Sequence, residues 1–325
     1  MKHKSPVRSL PYLQANWSRP LLALGLGISL IAATNAPPPA SGSEKNPIIV
    51  QGERLPEAVL EERATQFVRA TGVAAGRTPA ARWIDPVCVQ VQGLEEVGKR
   101  AAEAKIRSIA ASVGIAVAPN SCRPNIVVNF TSDGAGLAQE IHRRDSRRLA
   151  QLSARARDNI LNSSAPIRWI YSTELRGRDG QMVNADGGAG QTAPATHDGS
   201  GAGSSLGGDM TMMHYENSIV STLTNRILTS AIVIIDTDHA MGRKLDSLAA
   251  YAALVAFAEI RNLDATPDGS ILGMFEASAA PRGLTPQDTA FLRALYRIPL
   301  DREAMRHRGQ LVHEIARELA SNEAL

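Results

Sequence analysis

Ala231-Ile232-Val233-Ile234-Ile235-Asp236, followed after a short polar turn by Leu245–Ile260 (LDSLAAYAALVAFAEI), is the stretch that decides the fold. The first run is almost continuously β-branched and suits a strand buried on both faces. The second is long, apolar and rich in alanine, which suits a helix packed on all sides. Upstream, Val87–Val91 alternates like a strand and is stopped by Gly93. Glu95–Val113 reads as a helix with its apolar side on Val97, Ala101, Ala104, Ile106, Ile109 and Val113, closed by Gly114. Ile115–Val117 is short and extended. Asn125–Thr131 (NIVVNFT), Ile167–Arg176 (IRWIYSTELR) and Ile219–Leu228 complete the strand-like runs. Ala135–Leu161 reads as one long helix. Thr285 and Pro286 form a good helix start, the threonine as cap and the proline at the first helical position. Arg302–Ala320 is the last helix. The expected class is α+β, a mixed β-sheet flanked by helices, in one domain over residues 82–325.

The amino-terminal part has a different character. Lys2, Lys4, Arg8 and Arg19 precede the apolar stretch Leu21–Ala33, and Thr34-Asn35-Ala36 offers a small-x-small cleavage site. The apolar run, about 13 residues, is short for a bilayer span, so residues 1–36 are expected to be a signal peptide. Pro37 directly after the site makes an uncleaved anchor the alternative. Residues 37–81 are expected to be a Pro/Ser-rich tether plus a peripheral element, with a helical pattern from Glu57 to Ala70. Export places the protein in the periplasm or outside the cell, with membrane contact only through an uncleaved amino-terminal segment.

The chain has 35 basic and 32 acidic residues. Four of the basic ones and none of the acidic ones lie in the first forty, leaving 31 against 32. The basic balance therefore belongs to the targeting segment, and no nucleic-acid partner is expected. Cys88 and Cys122 are the two cysteines. In an oxidising compartment they read as one disulfide bracing a β-α-β unit. A two-cysteine metal site is the alternative, although neither has a histidine near it in sequence.

Between Gly177 and Gly208 the chain holds ten glycines and almost nothing large and apolar. Such a segment buries too little surface to offset its ordering entropy, and residues 177–209 are expected to be a flexible insertion. Six arginines lie between Arg143 and Arg157. With Asp145 and Asp158 interspersed they read as a solvated helix face, an anionic partner being the functional alternative.

Four patterns touch on chemistry. His313-Glu314-Ile315-Ala316-Arg317 has the outline of a zinc-protease helix, but its second ligand position is an arginine, which does not bind zinc. Gly203-Ser204-Ser205-Leu206-Gly207 matches a nucleophile elbow but sits in a tract where chance matches are common. Asp264 with Asp268-Gly269-Ser270 lacks the alternating ligands of a calcium loop. His142, His197, His214 and His307 share no metal-ligand spacing. The most interesting cluster is Asp236-Thr237-Asp238-His239, where two carboxylates and an imidazole leave the end of the central strand. Asp236, Asp238 and His239 are the catalytic candidates, as acid and base or around a cation. Their plain reading is that they cap turns and face water.

The order PVCVQVQGL, helix, PNIVVNFTSD, long connection, RWIYSTE, AIVIID and helix, with the later run RNLD…DGSILGMFE…GLTPQDTAFLRALY, resembles a group of bacterial exported proteins related to the metzincin-type zinc metalloproteases. The resemblance covers roughly Trp83–Tyr296. In that fold the helix after the last strand carries the zinc histidines and the glutamate. Here that helix is Leu245–Ile260, which contains no histidine, so no zinc ligand carries over. The resemblance implies an inactive relative whose groove holds a peptide or protein partner without cutting it. The expected function is thus a binding or structural role without enzymatic activity, cofactor or metal. A hydrolase using Asp236, Asp238 and His239 is one alternative. An envelope interaction module acting through the arginine helix and the glycine-rich loop is the other.

Overall fold

The computed structural model describes residues 55–150, 152–177, 222, 224–261, 266–276 and 280–322. The expectations for residues 1–54, for nearly all of the glycine-rich stretch, and for Gly203–Gly207, His197, His214 and Asp264 lie outside these residues. Among the described residues the class is α+β, with a four-stranded mixed sheet and seven helices.

Strands β1 (Val89–Gln92), β2 (Ile126–Thr131) and β4 (Thr224–Asp236) run parallel, and β3 (Ile167–Gly177) pairs antiparallel with β4 at the far edge. The order is β1-β2-β4-β3. Helix α2 (Glu96–Ser112) crosses from β1 to β2, as parallel pairing requires. The two apolar runs read as separate segments before Asp236 fuse into one strand. The pairing register slips between Ser172 and Thr173, where Ser172 pairs with Ser230 and Thr173 with Leu228, which leaves Thr229 as the extra residue.

Cys88 and Cys122 form the expected disulfide, with Cα atoms 6.0 Å apart. It joins the residue before β1 to the loop before β2. Asn125 braces the same corner, accepting from the Cys88 N–H at 2.7 Å. Gly93 ends the β1 edge for a steric reason. Its φ is +81° and an added Cβ would lie 1.9 Å from the Phe130 carbonyl oxygen.

Helix α5 (Leu245–Phe257) forms the centre of the core. Every residue from Ser247 to Phe257 is buried. A helix terminus without water needs partners for its last carbonyls, and aromatic side chains from three segments supply them. Trp83 Nε1 donates to Ala256 O at 2.8 Å, and Tyr296 Oη donates to Phe257 O at 2.9 Å. Tyr171 Oη lies 2.6 Å from Val255 O and 2.9 Å from Ala258 O, and accepts from the Ile260 N–H. Burial pushes all three buried tyrosine hydroxyls, Tyr171, Tyr251 and Tyr296, above the usual phenol range.

Helix α6 (Pro286–Arg297) starts with a full capping box, in which Thr285 accepts from the Asp288 N–H and Asp288 accepts from the Thr285 N–H. Helix α7 (Ala304–Asn322) packs beside it.

Three sequence expectations are corrected. The helix expected to be peripheral, α1 (Glu57–Thr71), is part of the same core. Phe67 is fully buried and its ring lies 5.0 Å from that of Phe291. Leu60, Ala64, Phe67 and Val68 share the face it buries. In α2 the buried face is Ala102, Ile106, Ile109 and Ala110, whereas Val97 is 76 % exposed. The helix docks with Gly98 against Leu245, which turns Val97 outward. The single long helix over Ala135–Leu161 is three pieces. These are α3 (Gly134–Arg144), a short 3-10 turn over Ser146–Leu149, and α4 (Ala154–Asn162). Asp145 is extended at the first break and Ser153 caps α4 by accepting from the Ala156 N–H.

Candidate functional site

The C-terminal ends of β2 and β4 and the start of β3 meet at one edge of the sheet, because Thr131 pairs with Asp236 and Ile167 with Ile235. Just beyond β2, Ser132-Asp133-Gly134-Ala135-Gly136 turns into α3. This edge holds the Asp236 cluster.

Asp236 is 3 % exposed. Its Oδ2 accepts from the Gly134 N–H at 3.0 Å, and its Oδ1 accepts from the His239 N–H at 3.2 Å. The same Oδ1 lies 2.9 Å from His239 Nδ1. Burial pushes the Asp236 carboxyl up, but the hydrogen bonds from His239 and Gly134 outweigh it and hold the group below its usual range. Asp236 thus stays ionised while tying the end of β4 to the first turn of α3. Asp133 caps that turn too, accepting from the Gly136 N–H at 2.7 Å. Two carboxylates at one helix N-terminus match its dipole.

His239 donates through Nδ1 to Asp236, and in the neutral ring this makes Nε2 the acceptor; the side chain is 49 % exposed. Asp238 is exposed and is not drawn into this pair. The structure therefore joins two of the three candidates and leaves the third in solvent. Chemically, the pair is an oriented imidazole of the kind that serves a general base. Among the described residues no hydroxyl or thiol hydrogen-bonds to His239, and no group of three His, Cys, Asp or Glu side chains is placed to hold a metal ion.

Arg168 completes the cluster and was not singled out from the sequence. It is 3 % exposed in β3, donating through Nη1 to Ala165 O at 2.8 Å and through Nη2 to Ser163 O. Its Nε has no partner among the described residues. Burial lowers its pKa, and the nearby Asp236 and Asp133 carboxylates oppose that shift. A Cβ on Gly134 would lie 2.6 Å from Arg168 Nη1 and 3.0 Å from Asp236 Oδ2, so a larger residue there would have to displace the Arg168 guanidinium where helix, arginine and carboxylate converge. The one sequence signal was the Asp-Gly-Ala-Gly run after a strand.

The remaining candidates resolve into structural roles. His307 is fully buried; Nδ1 accepts from the Ala80 N–H at 3.0 Å and Nε2 donates to Pro299 O at 2.8 Å. Burial lowers its pKa. His313 is exposed on α7, where Glu314 pairs with Arg317. Of the six arginines, Arg148 is bonded to Asp145, Ser172 and Ser230, Arg157 to Leu152 O, and Arg143 and Arg144 to Glu140. Glu259, just past α5, is buried against Arg226 and Arg261.

Comparison with known proteins returns no match to any family model, curated protein or solved structure. No helix among the described residues is long and apolar enough to cross a membrane.

Proposed function

We propose that this chain is an exported binding or structural protein of the bacterial envelope, built on a metzincin-like scaffold that has lost its catalytic helix to the core. The observation that carries the reading is the state of α5. It follows the central strand, the place where the resemblance puts zinc ligands, yet Ser247–Phe257 are packed on every side. Its C-terminal carbonyls are held by Trp83, Tyr171 and Tyr296 rather than exposed to a cleft. The sheet order, with three parallel strands and an antiparallel edge, fits the same scaffold. The Cys88–Cys122 disulfide agrees with an oxidising compartment.

Fractionation of cells producing the full chain tests the reading, combined with mass spectrometry of the isolated product. It predicts an envelope location, an oxidised Cys88–Cys122 pair, and no cleavage of casein or a mixed peptide library. Cytoplasmic protein with two free thiols would overturn the export part, and peptide cleavage the non-catalytic part.

One observation favours a second reading, a hydrolase using the Asp236–His239 pair, because Nδ1 lies 2.9 Å from Oδ1. That reading requires an ester- or amide-cleaving activity that disappears in His239→Ala while the fold persists.

A further inference from the structure

We propose that the cleft between α1 and α7 binds a small amphiphilic anion, a carboxylate carried on a short apolar body. The cleft is open to solvent on one side and offers about 600 Å³, within the usual range of small-molecule sites. Val68, Val73 and Val312 contribute apolar walls, and Arg69, Arg308 and His313 contribute cationic or proton-donating groups. Glu61 is the single acid among its lining residues.

Arg308 is set in place before any ligand arrives. Its Nη1 donates to Ala74 O at 2.5 Å and to Gly76 O at 2.9 Å, while no described residue bonds its Nε or Nη2. Those carbonyls are presented by a turn in which Gly72, Ala74 and Gly76 all have positive φ, at 65°, 57° and 60°. Ala74 is the only non-glycine residue in that conformation among the described residues, and such strain persists only where packing over-determines it. A guanidinium held by one nitrogen offers its other edge to a carboxylate at little ordering cost. Space is kept open at Gly76 and Gly309, where an added Cβ would meet nothing within 4 Å.

This inference deepens the binding reading and rests on it; an empty cleft would leave the scaffold reading to its own fractionation and cleavage tests. Isothermal titration of the full chain with octanoate, octylammonium and 1-octanol decides it. Octanoate is expected to bind one to one, with weaker binding of octanol and none of octylammonium. Arg69→Glu should weaken octanoate by about tenfold, the scale of one charge-assisted contact. Gly309→Leu should abolish binding while its thermal midpoint stays at or above that of the parent. Absence of octanoate binding, equal binding of octylammonium, or unchanged binding in Gly309→Leu would each overturn the proposal.

Discussion

The Asp236 carboxylate reaches from the end of the central strand to the Gly134 N–H, 3.0 Å away, and locks the sheet edge to the first turn of α3. Asp236→Asn weakens that lock and the His239 contact, so a loss of about 1–3 kcal/mol is expected in urea unfolding at pH 7. The folded pKa of Asp236 is lowered. Its stabilising effect is therefore complete above the unfolded carboxylate range and fades as pH falls through the folded value. The gap between parent and Asp236→Asn should narrow in acid; a constant gap would mean the carboxylate's charge is irrelevant.

His307 acts in the same direction, but in a higher pH window. Its folded pKa is lowered by burial, with Arg82 and Arg302 adding to the effect, backed against it by the bond to Pro299 and the charge of Asp301. The unfolded chain then binds the proton better, and stability falls as pH drops below about 6.5 toward the folded value. Unfolding midpoints of the parent should decline between neutral pH and mild acid. In His307→Asn, which does not titrate there, that part of the slope should vanish.

The disulfide spans 34 residues. Replacing Cys88 and Cys122 together with serine is expected to cost about 3–4 kcal/mol on the chain-entropy account. The measurement is the difference in urea midpoint between the parent and the double variant. A change within error would mean that the Asn125 brace alone suffices at this corner.

Two glycines should respond in opposite directions. Gly93→Ala places a methyl against the Phe130 carbonyl at positive φ and should lower stability by more than about 2 kcal/mol. Gly309→Ala adds a Cβ in open space on a helix and should raise it by about 0.5–1 kcal/mol.

Much of this arrangement is legible in the residues. The β-branched run ending at Asp236 gave the central strand, and the alanine-rich run after it gave a helix buried all round. Thr285-Pro286 marked the start of α6 because caps are local signals. What escaped depends on tertiary contact. Arg168 reads as an ordinary strand residue until β3 is folded against β4 and brings it over Gly134. The arginine-rich stretch kept helical periodicity past Asp145, although local bonding by Asp145 and Ser153 breaks it in two places. The helical pattern from Glu57 to Ala70 read as peripheral, and only the Phe67–Phe291 contact reveals that α1 joins the core. The cluster at Asp236 was visible as composition, but whether its members meet was not; His239 meets Asp236, whereas Asp238 stays exposed although it adjoins His239 in sequence.

Elemental analysis of the full chain, purified from the cell envelope without chelator, tests the central claim most directly. The account of α5 as core rather than metal helix predicts zinc far below one atom per chain, unchanged in His239→Ala. Near-stoichiometric zinc that is lost in His239→Ala would contradict it.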